Sequence, residues 1–264
     1  MWPTLLLVSP ALMTSAAVWL GSWLRGLAAT DDLLEVLTAS APDAPAVVSL
    51  QAAPAVPLAD LLREVRNLGP SATWLLLPRP GRTLGWPPDT SGTPTPAVLV
   101  TGVPSGSGLL RHDRTGWRWE VTEVVPGAPL EAEMLTARSG ARALAAAVTG
   151  AADRLEQLGL DRPATGTPPW TWARAVRRLP PGVDPGVEAL LVRLGDLRDV
   201  LDLALAEEGA AVTASEALAR SAELRTVIGQ LDDVITGVVG GLNLPARGMP
   251  GTDPRSSRIA ERPV

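Results

Sequence analysis

The chain has 264 residues, 46% hydrophobic and 19% charged, with a net charge of −5. That is a globular balance, with enough apolar material for one large or two ordinary domains. It has no Cys, Lys or Tyr and one His, which excludes disulfides, thiolate metal sites, a cysteine nucleophile, lysine Schiff bases, a P-loop and a multi-histidine zinc centre.

All 23 basic residues are Arg and the nine Trp are the only aromatic hydrophobes, a bias typical of a GC-rich genome. The negative charge is concentrated in residues 187–242, with ten acids against four arginines. Nucleic acid is therefore not an expected partner.

The first 24 residues, MWPTLLLVSPALMTSAAVWLGSWL, carry no charge. Their length would span a bilayer, so a membrane-anchored location through this segment is one reading. Pro3 and Pro10 break the run, however, and no basic start marks a secretory signal. The favoured reading is a buried strand, TLLLV, feeding a helix, TSAAVWLGSWLRGL, with Trp19 and Trp23 on one face against a sheet. On that reading the protein is cytoplasmic.

After DDLLEVLTAS comes the short apolar run AVVSLQ, then PLADLLREVRNLG. There Pro57 marks a helix start, Leu58, Leu61, Leu62 and Val65 share a face, and Gly69 is the stop. ATWLLLP and PAVLVTG have strand length. Short apolar runs alternating with amphipathic helices predict a partly parallel sheet. Between the last two runs lies RPGRTLGWPPDTSGTPTP, residues 79–96, too long and too rich in Pro and Gly for an ordinary connection. Arg79, Arg82 and Trp86, with Asp89, would present cations and a flat ring to an anionic or planar ligand. A loop without a ligand is the plainer alternative.

GVPSGSG, residues 102–108, has the wrong glycine offsets for a hydrolase elbow and reads as a flexible loop between strands. The next stretch, RHDRTGWRWE, contains the only histidine. In a strand, Trp117, Trp119 and Val121 point one way and Arg118, Glu120 and Thr122 the other, with Asp113 to Gly116 as the hairpin turn. His112 then flanks a surface turn and is expected to be solvated. Its alternative role is ligand binding beside Arg79, Arg82 and Trp86. No residue is assigned a catalytic role, and no metal or cofactor is expected.

From about residue 128 the strand signals stop. An Ala-rich helix runs from Leu135 to Leu158, and TPPWTWARAVRRLPP, residues 167–181, reads as a short helix with Trp172, Val176 and Leu179 on one face. Such a basic amphipathic piece either docks on its neighbour or lies on an acidic partner or membrane. Farther on, Leu190, Leu194, Leu197 and Leu201 form a stripe. TASE, Thr213 to Glu216, is a capping box. It opens a helix whose Leu224, Ile228, Leu231, Ile235, Val238 and Leu242 recur in steps of four and three, a seam for another helix. VTASEALARSAELRTVI lacks the compact turn and basic recognition helix of a helix-turn-helix.

The stretch from about 180 to 243, LPPGVDPGVEALL through ALAEEGAAVTASEALARSAELR, resembles the closing helical hairpin of uncharacterised proteins of GC-rich actinobacteria. The resemblance covers about a quarter of the chain and implies no function or site.

The sequence thus predicts an α+β protein: a mixed α/β sheet domain over 1–127, a helical domain over 128–244 ending in a long hairpin, and a disordered tail over 245–264. Two function classes follow. The first is a non-catalytic protein-interaction or scaffold protein, which the thin catalytic inventory favours. The second is a small-molecule-binding protein or enzyme with a pocket near the 79–96 loop.

Overall fold

The computed structural model describes residues 10–39, 47–50, 53–69, 72–79, 95–103, 106–113, 116–122, 136–157, 179–207 and 213–243. The uncharged N-terminal stretch becomes helix α1, Pro10–Leu24, with Pro10 at the first turn, where a missing N–H costs nothing. Every residue from Ala11 to Trp23 is buried. Among the described residues no helix is long and apolar enough to cross a membrane. The expected strand TLLLV lies outside the described residues.

Helix α2, Thr30–Ala39, follows, then strands β1, Val47–Leu50, and β2, Ala53–Pro57. Helix α3 covers Leu58–Asn67, starting after Pro57 and stopping before Gly69, whose φ of 66° suits glycine. Its predicted face, Leu58, Leu61, Leu62 and Val65, is buried. Strands β3, Ala72–Leu76, β4, Ala97–Val103, β5, Gly106–Asp113, and β6, Gly116–Thr122, complete a sheet of order β2-β1-β6-β5-β4-β3. Only β1 and β6 run parallel; the other neighbours are antiparallel. The mixed sheet predicted from the sequence is therefore present. Of residues 102–108, expected as a flexible loop, the described ones, 102–103 and 106–108, are instead strand ends, with Val103 opposite Gly106.

Register assigns the two faces. Leu75, Val98, Val100, Leu110, Trp117, Trp119 and Val48 lie on the face that joins the main core with α1, α3 and the later helices. Ala72, Trp74, Leu76, Ala97, Leu99 and Leu109 form a second cluster on the opposite face. Gly108 exists for Trp119: a Cβ there would lie 2.0 Å from the indole, so the ring crosses β5 only over a bare backbone.

Among the described residues three helices follow: α4, Ala137–Gln157, α5, Pro185–Ala206, and α6, Ala214–Asn243. At the start of α5, Asp184 accepts from the amides of Gly186 and Val187. The capping box of α6 forms as its sequence predicts: the Glu216 amide donates to Thr213 Oγ1 at 3.2 Å, and the Thr213 amide to Glu216 Oε2 at 3.0 Å. The seam residues of α6 are buried, with Leu231 and Val238 each 1% exposed and Leu242 partly covered. They do not form a single stripe, because Val227, Val234, Gly237, Val239 and Gly240 close the remaining sides. Helix α6 is surrounded by α1, β3, α4 and α5, so the two parts of the chain share one core.

Small and polar contacts fix α6 against α1. Asn243 Nδ2 donates to the Ala17 carbonyl at 3.0 Å, and a Cβ on Gly21 would strike Asn243 Oδ1 at 2.3 Å. Arg25 donates to the carbonyls of Gly21 and Leu242, and Arg66 lies 4.3 Å over Trp23 while donating to its carbonyl. The C-terminal ends of α1, α3 and α6 thus meet at two guanidinium groups, which satisfy carbonyls that helices leave bare.

Candidate functional site

Of the four residues proposed to bind a ligand, Arg82 and Trp86 lie outside the described residues, and so do Asp89 and the tryptophan helix before Leu179. Arg79 and His112 are described, and their contacts lie on different elements. Arg79 follows β3 and reaches α6. Its two terminal nitrogens donate to Asp233 Oδ1 and Oδ2, each at 2.7 Å, and Nη1 also donates to the Gly229 carbonyl at 2.7 Å. A Cβ on Gly229 would stand 2.9 Å from Arg79 Nε, so the glycine makes room for the cation. This bidentate pair fixes the plane of the guanidinium and, with the Gly229 carbonyl, takes up three of its five N–H donors. Arg79 therefore ties the sheet to the helices.

His112 was expected in solvent; the structure corrects this. The antiparallel pairing of β5 with β6 sets His112 opposite Trp117, and cross-strand partners share a face. Its ring meets the indole edge-on, centroids 5.0 Å apart at 72°, and its Nε2 is shut off from solvent. On the same hairpin Trp117 and Trp119 are buried and Arg118 is exposed, as predicted, whereas Val121 is 49% exposed near the strand end.

Beside Arg79 lies a charge network that sequence reasoning missed. Arg198 of α5 donates from Nε to Asp232 Oδ1 at 3.0 Å and pairs through Nη1 with Asp202 one turn along. Burial raises the pKa of Asp232 above the usual carboxylate value, and the neighbouring Arg198 and Arg79 offset this only in part. Burial also works against the Arg198 cation, but Asp232 and Asp202 outweigh it and hold the group protonated. Arg220, 4% exposed, donates to the carbonyls of Ala204 and Glu207 at 2.7 and 2.9 Å, closing the C-terminal end of α5. The signal for Asp232 and Asp233 was a pair of acids inside an apolar run. Arg198 and Asp202 stood at the i, i+4 spacing of a helical ion pair.

Between α4 and α6 runs an open groove of about 420 Å³. Ala143, Ala146, Ala147 and Gly150 line the α4 side, and Gln230, Asp233 and Val234 the α6 side, with Arg154 at one end. Arg154 is paired with Glu223, and Asp233 with Arg79. The lining contains no hydroxyl, imidazole or thiol. Among the described residues no group of three or more His, Asp or Glu could hold a metal. Such a groove can hold a shape by contact, and its one unconstrained polar group is the exposed Gln230 amide.

Models of the Rv1486c-like proteins match most of the chain: the N-terminal domain over residues 13–134 and the C-terminal domain over residues 139–234. No curated protein and no solved structure matches the chain.

Proposed function

We propose that this chain, which belongs to the Rv1486c-like family, is a cytoplasmic, non-catalytic protein-interaction or scaffold protein. The observation that carries the reading is how charge is used. Arg79, Arg198 and Arg220 each bind carboxylates or carbonyls of another element of the same chain. Arg154 and Asp233, the charged residues lining the groove, are likewise committed to internal partners. A catalytic site instead needs acid, base or nucleophile aimed at a cavity where a reacting atom can sit. The buried α1 supports the cytoplasmic location, since residues 10–24 of the uncharged segment that suggested an anchor form a core helix.

A second reading, a small-molecule-binding protein, is favoured by the groove volume, which falls in the range of about 300–1,000 Å³ typical of ligand clefts. A thermal-melting screen of the full chain against a metabolite library separates the two. The interaction reading predicts no saturable rise in the melting midpoint. A rise of several degrees that disappears in Gln230→Ala would establish the groove as a ligand site and displace the proposal.

A further inference from the structure

The outward face of α4 carries a charge order that the helix itself does not favour. Arg138 and Arg142 stand near its N-terminal end, Asp153 and Glu156 near its C-terminal end, and all four are exposed. Among the described residues none of the four joins an ion pair within the chain. The helix macrodipole favours the reverse order, with anions near the N-terminus and cations near the C-terminus. Arg138 and Arg142, one turn apart, also repel each other.

Between the charges runs an exposed apolar line: Ala141, Ala145, Val148 and Ala152, with Val148 41% exposed. Steps of four, three and four keep these residues along one seam. The inward side of α4 is occupied separately, with Gly140 close to Val238 and Leu190, and Ala151 buried. The alanines alone would identify no partner. The charges do: a two-fold axis between residues 146 and 147 maps the apolar line onto itself and sets the basic end of one helix beside the acidic end of the other. Laid antiparallel on a second α4, Ala141 meets the partner's Ala152 and Ala145 meets the partner's Val148. Arg138 then stands about 1.5 Å along the axis from the level of the partner's Glu156, and Arg142 about 3 Å from that of the partner's Asp153, offsets that long arginine side chains span. Each end of the seam brings together opposite charges, and the antiparallel dipoles also attract.

We infer that the outward face of α4 is a two-fold interface between two copies of this chain. The inference rests on the interaction reading above and names its partner. At 1.5 Å per residue the 21-residue helix is about 30 Å long. One helix of that length gives a footprint smaller than a permanent interface uses. The pairing is accordingly reversible and concentration-dependent.

Sedimentation velocity of the full chain over a hundredfold concentration range, from micromolar upward, tests this. The weight-average sedimentation coefficient should rise with concentration, and rise less at high salt. Arg138→Glu with Arg142→Glu should remain monomeric across the range, as should Asp153→Arg with Glu156→Arg. Both should melt no lower than the wild type, because the four side chains are exposed and the exchanged charges suit the helix dipole. An equimolar mixture of the two double variants should associate again, since each chain then presents one sign along the seam. A wild type that stays monomeric, or double variants that associate as it does, overturns the inference. Either result leaves the broader interaction reading standing, because that reading admits a partner other than a second copy and fails instead on saturable ligand binding in the groove or on the absence of any partner at this face.

Discussion

Asp232 shows how much a single buried charge costs this fold. Its pKa in the folded chain lies above the ordinary carboxylate value because burial disfavours the anion more than Arg198 and Arg79 restore it. A group whose folded pKa is raised contributes stability fully below its unfolded pKa and loses that contribution as pH rises through the folded pKa. Asp232→Asn keeps an oxygen for Arg198 and cannot ionise. In urea denaturation from pH 4 to pH 8, the stability of wild type relative to Asp232→Asn should therefore be greatest at the acid end and decline as pH rises. An advantage that grows with pH would mean that the ion pair outweighs desolvation. At this scale His112 was legible and was misread. With Asp113 and Gly116 closing the turn, position 112 must face 117, and Trp117 had already been assigned to the core side by strand alternation. Arg79 was not legible, because its partner Asp233 stands 154 residues away and no local pattern joins them.

Helix α6 decides the architecture. Its capping box and its four-three periodicity were both readable, because each depends on neighbours in sequence. The periodicity described only one of its buried sides. Val227, Val234 and Val239 fill the others, and the near absence of charge from 234 to 243 was the sign of a helix buried all round. Leu231→Ala should cost about 2–5 kcal/mol through lost burial and the cavity left behind. Because α6 packs on α1 and β3 as well as on α4 and α5, the loss should fall on sheet and helices together. Fluorescence from the core tryptophans, Trp19, Trp23, Trp74, Trp117 and Trp119, reports the N-terminal part, and far-ultraviolet circular dichroism is dominated by the helices. The two probes should show one coincident, lowered transition in the variant. Helical signal lost well before the tryptophan signal would mean that the two parts fold as separate units.

At the scale of the molecule, the described residues form a mixed sheet and long helices joined through one apolar core, with charge used internally to hold them in register. Composition foretold the thin catalytic inventory, since the missing residue types remove reaction classes wherever the chain folds. Which surface remains available for work was not in the sequence pattern. It follows from which faces the helices cover, and α4 leaves its apolar, charge-ordered side in solvent. The measurement that tests the interaction reading most directly is site-specific photo-cross-linking in living cells, with a photo-reactive phenylalanine placed at Ala145 on that face or, for comparison, at Pro54 on the exposed β2 edge. The account predicts covalent adducts of higher mass from position 145, composed of this chain or of another protein, and none from position 54. Position 145 yielding no adduct, at expression levels where the protein is folded and abundant, would contradict it.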